Sequence, residues 1–162
     1  MSYSKKQPLH YSAPLRSWDI YASSFLLEVR SDQKAKDHKV LAYYKRKFGW
    51  KSFPDLNVHA YESIVLTDLS KKILWVNAGF RKMTHYTAHY AIGKKPDFLQ
   101  GPLTSPLAKR RIREKLKEEK PFKARLLNYK KDQTTYICAI HVFPLQNRSG
   151  DTTHLLALEK EE

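Results

Sequence analysis

The hydrophobic periodicity of this chain changes at Pro54–Asn57, and this change constrains the fold more than any other feature of the sequence. Before it, apolar residues recur at helical spacing from Pro14 to about Ser31 and again from Lys36 to Phe48. After it, short β-rich runs are separated by turn residues. The pattern predicts an N-terminal helical pair and linker over residues 1–58, followed by a separate α+β domain over residues 59–162.

The second part of the chain contains five predicted strands and one longer helix. The first two strands form a hairpin, Asn77 and Thr87 can each cap a short helix, and a basic amphipathic helix precedes the last three strands. This order predicts a five-stranded antiparallel sheet with helices on one face. The predicted strands are Ser63–Thr67, Ile73–Val76, Phe122–Tyr129, Thr134–Leu145 and Thr152–Lys160, and the longer helix is Ser105–Glu119.

Composition limits the class of protein. A chain of 162 residues with 41% hydrophobic residues can bury one core of ordinary size, so we expect one domain plus an extension. The single cysteine, Cys138, excludes an intrachain disulfide framework, and no Cys/His cluster has zinc-ligand spacing. No apolar run has the length of a signal peptide or a bilayer span. We therefore expect a soluble protein of a reducing cytoplasm.

The net charge of +14 would attract nucleic acid, acidic proteins or anionic lipids. Its densest part is the run Lys109–Lys117, which lacks interleaved Tyr or Trp residues for base stacking. Glu114, Glu118 and Glu119 lie at helical spacing from several of these bases. We therefore expect a solvated, ion-paired helix face, no membrane association, and only weak, sequence-independent nucleic-acid binding.

The seven histidines are scattered, and none stands beside a nucleophile and an acid in a known catalytic motif. His85 and His89 are four residues apart, so they could share a helix face as metal ligands. No third ligand is found nearby in the sequence. We therefore expect no enzymatic activity and no metal site.

Residues Gly93–Gly101 read Gly-Lys-Lys-Pro-Asp-Phe-Leu-Gln-Gly. This nonapeptide resembles the segment that defines light-oxygen-voltage (LOV) domains, the flavin-binding branch of the PAS sensor family. The resemblance extends over roughly Tyr61–Glu161 and implies a PAS fold. The family's adduct-forming cysteine corresponds to Pro96, which has no thiol. The similarity continues at Pro102, Thr104, Ile112–Arg113, Leu127–Lys131 and Pro144.

The resemblance also implies the positions of the ligand-binding residues. The two arginines that hold the flavin phosphate correspond to Asp97 and Arg113, and Lys109 or Arg110 could partly compensate for Asp97. Of the four amide side chains at the ring edge, two correspond to amides here, Gln100 and Asn128. The second asparagine corresponds to Cys138, and the glutamine of the last strand corresponds to Glu159. The candidate site residues are therefore Gln100, Arg113, Asn128, Cys138 and Glu159.

Two of these positions weaken the expectation of a flavin. Asp97 would repel a phosphate, and an ionised Glu159 would place one buried acceptor against another. Gln100, Arg113 and Asn128 could also serve local structure alone. We therefore expect no bound cofactor, with FMN as the alternative, and no cysteinyl-flavin adduct.

These observations favour a non-enzymatic sensory or protein-interaction module, of bacterial origin by resemblance, that signals through protein contacts. A partner or a second copy would bind the N-terminal helices and the sheet face, and a small ligand could occupy the PAS cavity. Three alternatives remain: a flavin photoreceptor or redox sensor without the adduct cysteine, a basic nucleic-acid-binding protein, and a small-ligand carrier. The predicted dimer contact consists of Trp18, Ile20, Tyr21, Phe25 and Leu26.

Overall fold

The computed structural model describes residues 15–162, which form a five-stranded antiparallel sheet with helices on both faces. The strand order in space is β2-β1-β5-β4-β3, so the first and last strands in the sequence are neighbours at the centre. The predicted α+β class and five-stranded sheet are confirmed. The strands are β1 (Ser63–Asp68), β2 (Ile73–Val76), β3 (Phe122–Tyr129), β4 (Thr135–Gln146) and β5 (Thr152–Glu161).

The chain begins with one long helix, α1 (Leu15–Phe48), of 34 residues. The prediction of a helical pair is wrong, because residues 32–35 continue the helix. Their sequence, Asp-Gln-Lys-Ala, contains no glycine or proline, and Asp32 forms an i,i+4 ion pair of 2.6 Å with Lys36 across the expected break. Gly49, with a φ of +67°, follows the helix, as the sequence predicted.

The C-terminal half of α1 packs on one face of the sheet, here called the outer face. Leu41 of α1 is fully buried there, together with Trp50 and Leu56 from the segment that leads to β1. This packing makes α1 part of the folded unit, because it covers apolar residues of three strands. The strand residues of this cluster are Ile64, Leu66, Leu145, Leu156 and Leu158.

The opposite, inner face of the sheet is covered by short helices. Phe80 of the first, Ala91 of the second and Leu99 of a 3₁₀ turn pack against Val65 and neighbouring strand residues. These elements are α2 (Ala78–Thr84), α3 (Ala88–Ala91), the 3₁₀ turn Pro96–Leu99 and α4 (Pro106–Lys117). Alternate residues of β1 therefore pack into two different cores, one on each face of the sheet. This is the period-2 pattern of a strand buried on both sides.

Three of the helices on the inner face begin at side-chain caps. Asn77 accepts a hydrogen bond from the backbone N–H of Phe80, and Thr87 and Ser105 cap α3 and α4 in the same way. Pro96 is the first residue of the 3₁₀ turn, where its missing N–H is not needed. The capping roles predicted for Asn77 and Thr87 are therefore confirmed.

Candidate ligand cavity

A cavity of about 250 Å³ lies between the inner face and the covering helices. Its volume is just below the roughly 300–1,000 Å³ typical of small-molecule sites. Most of its wall is apolar, so the cavity favours a ligand that is flat or largely hydrophobic. The apolar lining consists of Val65, Pro96, Leu99, Ile112, Leu116, Leu126, Ile140, Leu155 and Ala157.

Three cations belong to the lining of this cavity. Lys71 comes from the β1–β2 turn, and Lys109 and Arg113 come from successive turns of α4. None of the three forms an ion pair within the described part of the chain. Against these three cations the lining contains two carboxyl groups, Asp97 and Glu159, so its net charge is positive and favours an anionic group.

The 3₁₀ turn that begins at Pro96 positions two residues of the lining: Asp97 lies within the turn, and Gln100 directly follows it. The Gln100 amide nitrogen lies 3.5 Å from Asp97 Oδ1, at the limit of a hydrogen bond. Gly101 comes next, and a Cβ there would lie 2.5 Å from the Tyr129 ring, so only glycine fits. Thr104 Oγ1 then donates to the carbonyl of Leu127 at 2.8 Å, which holds this loop on β3. The loop thus fixes Gln100 at the cavity wall.

Two buried oxygen atoms of the lining have no hydrogen-bond partner in the described structure. They are Oδ1 of Asn128 on β3 and Oγ1 of Thr67 on β1. The Tyr136 hydroxyl, on the residue paired with Asn128 across the strands, is also unpartnered. Because an unpaired buried polar atom costs about 1–3 kcal/mol, a ligand N–H or O–H group that reached either oxygen would stabilise the complex.

Glu159 is the one carboxyl group deep in the lining. It lies on β5 opposite Ser63, whose hydroxyl donates to Glu159 Oε2 at 3.2 Å. Burial raises the pKa of Glu159 to about 7, and the Ser63 hydrogen bond opposes this shift. Near neutral pH this carboxyl therefore exists in both neutral and ionised forms.

Cys138 is fully buried on β4 and is not part of the cavity lining. It packs with Met83 and Tyr136. Burial is the main cause that raises the pKa of its thiol, and the nearby acidic side chains add to it. Cys138 is therefore a protonated core residue, whereas the other four predicted site residues line one cavity.

Sequence reasoning missed Thr67 and Lys71. Thr67 lies two residues after Val65, so it points to the same face of β1, and this alternation was a usable signal. Lys71 adopts a φ of +67° in the turn after β1 and reaches the cavity only through tertiary structure. Nothing in the local sequence distinguishes it from the neighbouring Lys72.

The histidine pair does not form a metal site. His85 ends α2 in a left-handed conformation and lies 3.4 Å from Asp132, whereas His89 belongs to α3, so the two do not share a helix. The described residues contain no group of three or more potential metal ligands. No helix among them is long and apolar enough to cross a membrane.

The basic face of α4 is partly ion-paired. Arg110 lies 3.9 Å from Glu114, and Lys115 lies 3.0 Å from Glu118. Glu114 and Glu118 are two of the three glutamates that the sequence analysis expected to pair on this face. Both pairs are exposed, so they stabilise α4 by about 0.5 kcal/mol or less each.

The outer face carries a second, more open concavity of about 600 Å³ at β3, β4 and β5. His59 and His141 meet there, with ring centroids 5.1 Å apart. Lys123, Arg125 and Lys160 surround them, and Arg125 pairs with Glu162. None of the residues of α1 whose side chains are described lines this concavity.

The sequence of residues 62–160 matches the PAS domain family. The chain belongs to this family. The sheet order, the short helices and the cavity on the inner face of this PAS domain agree with the fold that the resemblance implied.

This PAS domain is similar to light-sensing proteins. It is 33% identical over 85 residues to a blue-light-activated histidine kinase of Brucella canis, covering 52% of this chain and 17% of the kinase. It is also 33% identical over 89 residues to phototropin-1A of Oryza sativa subsp. japonica, covering 55% of this chain and 10% of phototropin. The chain thus spans less than a fifth of these curated relatives.

Solved structures give the same result. The light-state structure of the blue-light photoreceptor Aureochrome1 LOV superposes with a TM-score of 0.61 at 29% identity, covering 64% of this chain and 83% of that one. A LOV domain from a blue-light-activated histidine kinase of Erythrobacter litoralis EL346 superposes with a TM-score of 0.58 at 22% identity and supports the fold alone. The predicted LOV-like PAS fold is confirmed.

The lining contains side chains of the kinds that a flavin mononucleotide would need, cations for its phosphate and amides for its ring edge. Lys109 and Arg113 can hold a phosphate, and the unpartnered Asn128 Oδ1 can accept from a ring N–H. Asp97 opposes the phosphate but is outnumbered by the surrounding cations. Glu159 fits a ring carbonyl in its protonated form only, because an ionised carboxylate cannot donate.

Proposed function

We propose that this PAS domain is a sensory or interaction module, without catalytic activity of its own, that works without a cysteinyl-flavin adduct. One observation carries the proposal: Pro96 lines the cavity, while the chain's single cysteine is packed in the core beside Met83. A thiol must reach the ligand as a nucleophile to form an adduct, and the buried, protonated Cys138 does neither.

A non-covalently bound flavin is the second part of the proposal. It is favoured by the three cations in the lining of a largely apolar cavity. Arg113 and Lys109 would bind the phosphate, while Gln100 and Asn128 would orient the ring edge by hydrogen bonds. A bound flavin would supply visible-light absorption and electron-transfer chemistry.

The signal would leave through the outer face. α1 and the basic concavity around His141 both lie there, whereas the cavity lies on the inner face of the same sheet. A partner protein or a second copy of the chain that binds this surface would therefore contact strands β4 and β5, which also form the cavity wall. The proposal also includes self-association through α1. The side chains of Trp18, Ile20, Tyr21 and Phe25, which the sequence analysis predicted for this contact, lie outside the described residues.

Absorption spectroscopy tests both parts. The protein, purified and then mixed with FMN, should show a flavin spectrum with resolved vibrational bands, and blue light should cause no reversible bleaching of the kind that an adduct gives. Pro96→Cys should introduce such bleaching, because it places a thiol on the cavity wall.

The controls separate the two claims. Reversible bleaching of the original protein that Cys138→Ala abolishes would refute the claim that no adduct forms. An FMN spectrum identical to that of free FMN in buffer, at all protein concentrations, would refute flavin binding and leave the first claim intact.

A further inference from the structure

A small residue, Ala139 of β4, lies in the floor of the outer-face concavity. Its direct neighbours across the sheet are Arg125 on β3 and Lys160 on β5. Residues that pair in this way point to the same face and have Cβ atoms roughly 4.5–5.5 Å apart. Two long cationic side chains therefore flank a short one, and the hollow above Ala139 lies between them.

The adjacent row of the sheet adds a third cation. His141 of β4 pairs with Lys123 on β3 and with Leu158 on β5. Lys123 is two residues before Arg125, so both point to the outer face of β3. Three like charges in two adjacent rows repel one another. The cluster therefore opposes folding, and a bound anionic group would relieve the repulsion.

The chain itself neutralises little of this charge. Lys123 and Lys160 form no ion pair within the described residues, and Arg125 pairs with Glu162. That pair is exposed and correspondingly weak, so a carboxylate from another molecule can replace it. The lining thus contains one carboxylate for three cations.

The concavity also presents apolar surface beside the cations. Val58 belongs to its lining and is 73% exposed, and Leu158 lies beneath it in the sheet. An apolar contact bordered by charged groups is typical of protein–protein interfaces. The rings of His59 and His141 meet edge to face, so they pack on each other instead of forming a flat platform for base stacking. These features favour a protein segment over a nucleic acid.

The chain does not supply the complementary charge. Two copies, each with a net charge of +14, repel one another. Residues 1–14 contain Lys5 and Lys6 and no acidic residue. Neither a second copy nor this segment therefore matches the concavity, and the occupant that fits is a different, acidic protein.

We propose that the outer-face concavity binds an acidic segment of a partner protein. Its carboxylates pair with Lys123, Arg125 and Lys160, and one of its apolar side chains packs against Val58. This inference rests on the outer face being the output surface, as proposed above. It adds the chemistry of the partner and the residues that select it.

A fluorescently labelled peptide of alternating aspartate and leucine is the probe, and its binding is measured by fluorescence anisotropy at about 0.15 M salt. The same peptide with asparagine in place of aspartate tests the need for charge. The concavity variant combines three substitutions at exposed positions, Lys123→Gln, Arg125→Gln and Lys160→Gln. The matched control removes the same charge from exposed positions outside the concavity that form no described ion pair, with Arg111→Gln, Lys117→Gln and Lys120→Gln.

The aspartate peptide should bind the original chain and the matched control equally, and the concavity variant about tenfold more weakly. Val58→Asp, a single change at an exposed position before β1, should weaken binding about threefold without altering a strand. The asparagine peptide should bind all four proteins more weakly than the aspartate peptide binds the original chain.

The inference is overturned if the aspartate peptide does not bind the original chain, or if the matched control loses as much affinity as the concavity variant. It is also overturned if single-stranded DNA of equal charge displaces the peptide at a lower concentration than the unlabelled peptide does. The absorption test of Pro96→Cys with FMN does not involve the concavity, so failure here leaves that part of the proposed function intact.

Discussion

Asn77 donates a hydrogen bond of 2.9 Å to the buried carboxylate of Asp37, and this contact joins the two faces of the sheet. Asp37 belongs to α1 on the outer face, whereas Asn77 caps α2 on the inner face. Asn77 also accepts from the backbone N–H of Ile64 at 3.0 Å, which fixes the start of β1. One amide side chain thus connects α1, β1 and α2.

Asp37→Ala should destabilise the protein by about 3 kcal/mol, because it removes charge-assisted hydrogen bonds from Asn77 and Tyr61 and leaves both donors unpaired. Urea unfolding measures the change in free energy. Asp32→Ala is the control: it removes a carboxylate of the same helix that forms an exposed pair with Lys36, and should cost about 0.5 kcal/mol or less. Equal effects of the two substitutions would contradict the role assigned to Asp37.

Glu159 should make the protein less stable as the pH rises. Its pKa in the folded state, about 7, is above the ordinary value of 4.5, so its contribution is fully present below pH 4.5 and is lost as the pH rises through about 7. Relative to Glu159→Gln, the original protein should lose about 3 kcal/mol over that interval. Denaturant titrations of both proteins at pH 5 and pH 8 check the sign and the size. A constant difference between the two would show that Glu159 ionises normally.

His154 should have the opposite dependence on pH. Trp50 donates its indole N–H to His154 Nδ1 at 3.1 Å, and burial lowers the pKa of this histidine, opposed by the charge of Asp68. The folded state therefore loses stability as the pH falls below about 6.5, where the unfolded chain takes up the proton.

His154→Phe should remove part of this acid sensitivity, while at pH 7 it should cost about 1–3 kcal/mol because the Trp50 N–H is left without its partner. The measurement is the difference in unfolding free energy between pH 7 and pH 5. His89→Phe, at an exposed position of α3, is the matched substitution and should leave that difference unchanged. The assignment fails if both variants respond to acid as the original protein does.

Gly79→Ala should destabilise the protein although alanine is the better helix former. Intrinsic propensity favours alanine by about 1 kcal/mol, but a Cβ at this position of α2 would lie 1.6 Å from the backbone carbonyl oxygen of Glu62. The overlap forces α2 away from β1, at about 1–3 kcal/mol or more. The loss of stability is measured by thermal unfolding of Gly79→Ala. Lys82→Ala, a substitution at an exposed position of the same helix, is the control. A stabilised Gly79→Ala protein would mean that α2 is free to shift.

The sequence predicted the local structure better than the long-range contacts. The strands followed from short β-rich runs bounded by turn residues, and the caps followed from Asn77 and Thr87, because these signals are contained within a few residues. The continuity of α1 was missed because the polar residues 32–34 interrupt the apolar pattern without interrupting the helix. The helix continues through this segment without an apolar stripe.

The parts of the site that were missed depend on tertiary structure. Trp50 and His154 are 104 residues apart in the chain, and Asp37 looks like any exposed residue of a lysine-rich helix until Asn77 and Tyr61 meet it. Gln100, Arg113, Asn128 and Glu159, which the resemblance to LOV domains singled out, line one cavity. The resemblance did not reveal Lys71, because the ligand-binding positions that it implied do not include that turn.

Two truncations distinguish the packing role of the N-terminal segment from a role in self-association. Removing residues 1–58 uncovers the apolar outer-face cluster, including Ile64 and Leu156, so this protein should aggregate or change its oligomeric state. Removing residues 1–31 leaves Asp37 and Leu41 in place and should preserve the fold, while deleting Trp18 and the other predicted dimer residues. Light scattering after size-exclusion chromatography gives the mass of each. A monomer that is equally soluble after both truncations would contradict the packing role, and an unchanged dimer after the shorter one would exclude residues 1–31 from the dimer contact.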